Sequence, residues 1–154
     1  MGMEHYQARE FVRYAQSLNH YMAELVNLLK SQVANPAFSE YGIARLSGPT
    51  GSDAELCVSV HLRKLITTRE HVWHRQEARK SLYGCVGIVE LVGDEPTGAP
   101  LLQVIVRHDG FVSFDGTIDM ALPIQAEQGY GDQIATTFAQ DLLLAVQARL
   151  RSIQ

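Results

Sequence analysis

The sequence predicts an α+β fold, with a long N-terminal helix, an antiparallel sheet of about five strands and a C-terminal helix packed on that sheet. Two observations lead to this. Apolar residues recur at helical spacing near both ends of the chain, and the spacing becomes strand-like between Tyr41 and Ile118. The chain has 154 residues, 46% hydrophobic and 19% charged, which suits one folded domain. We therefore predict a single domain over residues 1–154. Residues 1–3 are expected to be disordered or left from cloning.

The first helix is predicted from one apolar stripe with steps of three and four residues. The stripe consists of Phe11, Ala15, Leu18, Met22, Leu25 and Leu29. Tyr14 and Tyr21 widen one flank, and Val12 widens the other. A helix over 4–34 would be about 45 Å long, whereas a domain of this size has a radius of gyration of about 15 Å. The overhanging part is expected to contact another subunit. The alternative is a break at 17–20 into two packed helices.

The helix is expected to end at Pro36, because a residue before proline avoids the helical region. Near the other end of the chain, Asp132 is expected to cap the final helix. The apolar stripe of that helix is predicted to comprise Phe138, Ala139, Leu142, Leu143, Val146, Leu150 and Ile153.

The sheet is predicted from alternation and from turn residues. A short strand is expected over 43–47, and a strand with one wet face over 55–63. Residues 82–92 are apolar on both faces, so they should form a central strand, and Gly84 and Gly87 suggest close approach of a helix. Asp109 and Gly110 predict a two-residue hairpin between strands at 101–108 and 111–118.

Segment 64–81 has three readings. Thr67 and Glu70 have capping-box spacing, which favours a helix. Only Val72, Trp73 and Ala78 could face a core, however, so an extended hairpin arm and a loop are alternatives.

The same part of the chain is basic. Six Lys or Arg stand against two Glu between Arg63 and Lys80, whereas the whole chain has a formal charge of −4. A basic segment on an acidic body favours binding of an anion or a nucleic acid. The candidate residues are Arg63, Lys64, Arg69, Trp73, Arg75, Arg79 and Lys80. Trp73 would stack a base, and the arginines would contact phosphates. The competing interpretation is a solvated or subunit-pairing surface.

Motifs with a specific chemistry are missing from the sequence. His71 and His74 would share one face of a helix and could hold a divalent metal, but the four-residue spacing of a zinc-protease helix is absent. No nucleophile elbow and no glycine-rich nucleotide loop is present. We therefore predict no cofactor, and we expect a binding protein rather than an enzyme. A metal-dependent enzyme that uses His71 and His74 is the last alternative.

Cys57 and Cys85 lie in strand-like segments without metal-ligand spacing, so they are expected to be reduced and packed, as in a cytoplasmic protein. No apolar run approaches the roughly 18 residues of a membrane span. We therefore expect no membrane partner.

These observations favour a non-enzymatic interaction module, a homodimer that acts as an adaptor or a chaperone-like binding protein. Its partner would be a second copy or another protein. The interaction helix is expected to present Phe11, Tyr14, Leu18, Tyr21, Met22, Leu25 and Leu29. Element order, acidity and size resemble those of small secretion chaperones, which have helices around a twisted sheet and dimerise. The leucine-rich middle helix of such chaperones is replaced here by the basic segment 64–81.

Overall fold

The computed structural model describes residues 5–32, 34–49, 53–73, 81–117, 122–124 and 130–153. In chain order the described elements are α1 (His5–Ser31), α2 (Pro36–Glu40), β1 (Ala44–Arg45), β2 (Cys57–Val60), β3 (Arg63–Trp73), β4 (Leu82–Val92), β5 (Glu95–Val106), β6 (Phe111–Ser113), β7 (Leu122–Pro123) and α3 (Gly131–Gln147). The mixed α+β class is as predicted.

The strands form one sheet in the order of the sequence, and every neighbouring pair is antiparallel. Among the described residues the sheet has seven strands instead of the expected five or so, and it curls into a half-barrel. Two of the seven, β1 and β7, are only two residues long and lie at the edges. Strand β4 lies in the middle, as its apolar sequence predicted, with residues 82–89 all buried.

Helix α1 is continuous from His5 to Ser31, so the alternative of a break at 17–20 is wrong. Its C-terminal half packs on the sheet and buries Leu18, Met22, Leu25 and Leu29 at 0–2% exposure. A β-carbon on Gly84 would lie 2.8 Å from Met22 Sδ, so glycine is what lets the helix approach β4. The helix-packing interpretation of Gly84 is therefore confirmed. Gly87 instead lies beside Thr68 and Pro100 of the neighbouring strands.

The helix ends differ from the prediction. Pro36 does not end α1 but begins α2, where a missing N–H costs nothing, and the Asn35 side chain accepts a hydrogen bond from the Ala37 N–H at 3.0 Å. In α3, Asp132 lies in the first turn, and Tyr130 occupies the cap position without a side-chain bond. Since α3 ends at Gln147, Leu150 and Ile153 lie beyond it and are exposed rather than part of its buried stripe.

The hairpin at Asp109 and Gly110 exists but is one residue longer than predicted. The Arg107 N–H donates to the Phe111 carbonyl at 2.8 Å, and the Gly110 N–H donates to the Arg107 carbonyl at 2.9 Å. Gly110 has φ +91° and therefore takes the left-handed position that closes such a loop.

Strand β2 ends in a turn that the alternating pattern concealed. His61 and Leu62 have φ of 49° and 66°, and Val60 pairs with Arg63 across them. The single strand predicted over 55–63 is thus the first arm of a hairpin. Leu62, expected in the core, is fully exposed.

Replacing Leu62 by glycine is expected to raise the free energy of unfolding by about 0.5–1 kcal/mol. A left-handed conformation costs a residue with a β-carbon about 1–2 kcal/mol, and glycine's greater freedom in the unfolded chain offsets part of the gain. Urea titration measures the change. Leu62→Ala keeps the strain and should leave stability within about 0.5 kcal/mol. A less stable Leu62→Gly variant would contradict the strained turn.

Segment 63–73 is a strand, so the helical interpretation of the region is wrong over those residues and the hairpin-arm interpretation is confirmed there. Residues 74–80 lie outside the described part of the chain. No helix among the described residues combines the length and the hydropathy needed to cross a membrane.

Candidate functional site

Strand β3 is much longer than β2, the strand that borders it on one side. Strand β2 pairs with β3 only from Arg63 to Ile66, and one further bond runs from the Thr67 N–H to the Leu56 carbonyl. On its other side β3 stays paired with β4 as far as Trp73. Within the described part of the chain, residues 68–73 therefore have a strand on one side only. We call this stretch the open edge.

The direction of the backbone groups on the open edge follows from the strand register. Hydrogen-bonding directions alternate along an antiparallel strand, and the Thr67 N–H points toward β2. The N–H and C=O groups of Arg69 and His71 therefore point away from β4. A row of outward donors and acceptors is a template for pairing with another strand.

Helix α1 runs beside the open edge and contacts its side chains. His71 Nε2 lies 2.8 Å from Asn19 Oδ1, and the Trp73 ring meets the Phe11 ring edge-on with centroids 5.1 Å apart. A cavity of about 250 Å³ lies between the helix and the edge, and it is lined by Asn19, Met22, Arg69, Glu70 and His71.

Apolar side chains near the open edge remain exposed. Trp73 is 44% exposed and Val12 58% exposed. Val12 precedes Asn19 by seven residues, so both lie on the same flank of α1, and Asn19 contacts His71. The flank of α1 that faces the open edge therefore carries an exposed apolar residue next to outward backbone groups. An extended peptide that binds by strand addition can use both.

The remaining long edge of the sheet is better protected. Strand β5 is paired with β6 only at Ile105 and Val106, so its earlier residues also lack a neighbour on that side. Pro96 and Pro100 have no N–H to offer, and the register with β4 shifts between Ile88 and Glu90. Arg149 Nη2 lies 3.4 Å from the Pro100 carbonyl oxygen. The open edge of β3 is consequently the better docking strand.

The described half of the basic segment is partly neutralised by carboxylates of the same fold. Arg63 Nη1 lies 3.1 Å from Glu90 Oε1, and Arg69 Nε lies 2.8 Å from Glu55 Oε1. Arg69 also donates from Nη2 to the Ala54 carbonyl at 2.8 Å. Lys64 is exposed. Arg75, Arg79 and Lys80 lie outside the described residues.

The structure describes only one of the two predicted metal ligands. His71 lies on strand β3 and not on the helix that the metal prediction assumed. His74 itself lies outside the described residues. Among the residues that are described, no group of three His, Cys, Asp or Glu is placed to hold a metal ion.

Both cysteines are free and buried, as expected. Burial raises the pKa of the Cys85 thiol to about 11, and the Glu70 carboxylate adds to the effect. Burial also raises the pKa of Cys57, against a smaller opposing effect of Lys64. Because the thiolate is the nucleophile, the shift leaves Cys85 unsuited to catalysis at neutral pH.

The predicted interaction helix divides into two parts. Its four aliphatic residues are core residues of this domain and are not available to a partner. The aromatic members are half-buried: Phe11 contacts Trp73, Tyr14 stacks on His108 at 4.3 Å between ring centroids, and Tyr21 covers Gly110. The surface that remains at this end of α1 adjoins the open edge, which the sequence analysis did not identify.

Comparisons of the chain with family models, with curated proteins and with solved structures return no match. The candidate site is therefore defined by the geometry of the open edge and the adjoining cavity.

Proposed function

We propose that this protein is a non-enzymatic interaction module that binds an extended polypeptide segment by strand addition at the open edge. The observation that carries the proposal is the outward backbone of Arg69 and His71 beside the exposed side chains of Val12 and Trp73. In this binding mode, main-chain hydrogen bonds supply affinity and neighbouring pockets select alternate side chains. The cavity lined by Met22 and Asn19 would be such a pocket.

An adaptor or chaperone-like role fits this mode, because recognition through the main chain tolerates many sequences. The anion-binding alternative draws less support from the described residues, since Arg63 and Arg69 already pair with Glu90 and Glu55. The metal-dependent enzyme has no described ligand set. Strand addition is therefore the function we put forward.

The test is selection of a displayed random heptapeptide library on the full-length protein, followed by fluorescence anisotropy with the enriched peptides. Protein concentrations are kept where the protein is monomeric, so that self-association does not occupy the edge. We expect peptides with alternating apolar residues. Their binding should protect the amides of Arg69 and His71 from hydrogen exchange.

Two variants at one position separate the backbone from the side chain. His71→Pro removes the outward N–H, which an edge strand tolerates, and should weaken peptide binding at least about tenfold. His71→Ala loses the same imidazole, which lines the cavity, but keeps the N–H, so it should bind at least about tenfold more tightly than His71→Pro. Circular dichroism checks that both variants are folded. Equal binding by all three proteins, or no enrichment of peptides, would refute strand addition.

A further inference from the structure

We infer that residues 53–56 form a strap that can pair with β3 and close the Arg69 end of the open edge, and that the side chains of Thr67 and Arg69 hold this strap apart. The inference rests on the proposed function, because a closed strap would compete with a peptide for the outward groups of Arg69. Three features support it: the end of the β2–β3 ladder, the hydrogen bonds of the strap and the space around it.

The ladder between β2 and β3 stops halfway through a residue pair. The Thr67 N–H donates to the Leu56 carbonyl at 3.0 Å, which is one of the two bonds of a hydrogen-bonded antiparallel pair. The Leu56 N–H would make the second bond with the Thr67 carbonyl, but it donates to Thr67 Oγ1 at 2.9 Å instead. A side chain of β3 thus takes the bond that would continue the strand. The next hydrogen-bonded pair in this register would be Ala54 with Arg69.

The strap is bonded to side chains of β3 at the positions where a longer ladder would use the main chain. Thr67 Oγ1 donates to Glu55 Oε2 at 2.5 Å, and Arg69 Nη2 donates to the Ala54 carbonyl at 2.8 Å. In a continued ladder that carbonyl would accept from the main-chain N–H of Arg69 instead. The guanidinium therefore occupies the acceptor that would close the edge at its own residue.

The open and closed arrangements are balanced in hydrogen bonds. Closing exchanges the bonds of Leu56 N–H, Thr67 Oγ1 and Arg69 Nη2 for one main-chain bond between Leu56 and Thr67 and two between Ala54 and Arg69. The open arrangement is also not fully satisfied. Arg69 Nε lies 2.8 Å from Glu55 Oε1 but is buried without a hydrogen bond to any described residue, so its N–H points past the carboxylate. Such a donor is unfavourable, which lets the closed arrangement compete.

The strap is fixed at its ends and loosely packed between them. Leu56 is fully buried at one end, and Lys30 Nζ donates to the Asp53 carbonyl at 2.6 Å at the other. Between them Ala54 is exposed and Glu55 is half-buried. A cavity of about 500 Å³ beside the strap is lined by Arg45, Leu46, Ser47, Gly48, Asp53 and Glu55. The middle of the strap can therefore move against β3 without displacing core side chains.

Closing the strap would shorten the docking edge. The N–H and C=O groups of Arg69 would pair with Ala54 and would no longer be available to a peptide. The outward groups of His71 lie beyond the strap and would remain. A closed strap should therefore weaken peptide binding without abolishing it. Thr67 and Arg69 are positioning residues in this scheme, because they keep the strap away from the edge.

Amide hydrogen exchange of the full-length protein without peptide, read residue by residue by NMR, tests the inference. Thr67→Val removes the hydroxyl but keeps the shape of the side chain, so the buried Leu56 N–H loses its acceptor and should turn to the carbonyl of residue 67. We expect the Arg69 amide to exchange about tenfold more slowly and the dissociation constant of library peptides to rise about tenfold. Thr67→Ser keeps the hydroxyl, and both quantities should stay within about threefold of the original protein.

A second substitution in the strap distinguishes closure from damage at Thr67. Ala54→Pro removes the N–H that the closed strap would donate to the Arg69 carbonyl, and the ring would clash with β3. Added to Thr67→Val, it should return the Arg69 exchange rate and the peptide affinity to within about threefold of the original values. Ala54→Ser keeps the N–H and should restore neither. Circular dichroism checks that each variant is folded. If Thr67→Val does not fold, Arg69→Lys replaces it, because lysine lacks the fork that holds Ala54 and Glu55 together.

The outcomes separate the strap from the proposed function. Unchanged exchange of the amide at residue 69 in the folded variant overturns the strap and leaves strand addition to be judged by the library peptides. Slower exchange that Ala54→Pro does not reverse also overturns it, because the protection then does not come from Ala54. Failure to enrich any peptide removes the proposed function, whereas the exchange rates, which are measured without peptide, still decide whether the strap closes.

Discussion

Phe138→Ala is expected to lower the free energy of unfolding by about 3–5 kcal/mol. Phe138 is fully buried on α3, and its ring stacks on that of Phe38 in α2 with centroids 6.3 Å apart. Truncation removes the transfer free energy of the ring and leaves a cavity that the surrounding sheet and helices cannot fill by collapse. Urea unfolding followed by far-UV circular dichroism measures the loss.

Leu144→Ala is the control for this prediction on the same helix. Leu144 is 64% exposed and lies on the face of α3 turned away from the core, so its truncation should change stability by less than about 0.5 kcal/mol. Similar losses in the two variants would mean that α3 does not bury the Phe138 side as described. A selective loss in Phe138→Ala establishes which face of α3 is buried.

Gly84→Val is expected to cost about 1–3 kcal/mol, because its side chain overfills a close contact between α1 and β4. The β-carbon would lie 2.8 Å from Met22 Sδ and 3.0 Å from Met22 Cγ, and Met22 is only 2% exposed. Chemical denaturation of the single variants Gly84→Val and Met22→Ala and of the double variant tests the contact.

The double variant distinguishes overfilling from other effects of a strand glycine. Met22→Ala alone should cost about 2–5 kcal/mol through the cavity that it leaves. Since the valine occupies part of that space, the double variant should be more stable than the sum of the single changes predicts, by about 1 kcal/mol. Strict additivity would show that Met22 moves aside freely. Met22 also lines the cavity at the open edge, so these variants connect core packing with the docking surface.

Features that depend on local periodicity were predictable from the sequence. The continuous apolar stripe of α1, the all-apolar strand β4 and the burial of both cysteines follow from residue patterns. The close approach of α1 at Gly84 was also expected, since a strand glycine often marks such a contact. The stripe, the apolar strand and the buried cysteines are set by residues that lie close together in the chain, whereas the contact at Gly84 was indicated only by the residue type.

Turns made by unusual residues were not predictable. The turn at His61 and Leu62 has positive φ at both residues, a conformation normally signalled by glycine or asparagine, and the alternation of apolar residues continues through it. Pro36 was misassigned for a related reason, since proline is as suitable for a helix start as for a helix stop. The pattern around such residues supports two structures, and packing selects one.

The sequence by itself determined the α+β class, the long first helix and the central strand, because side-chain periodicity dictates which face of an element is buried. Only the tertiary structure decided that β2 stops short, so that among the described residues no second strand pairs with residues 68–73. It also decided that Arg63 and Arg69 meet carboxylates far along the chain, and that α1 uses its aliphatic stripe for its own core. Strand pairs and ion pairs form between residues that are far apart in the chain, and no local sequence pattern specifies which of these residues will meet.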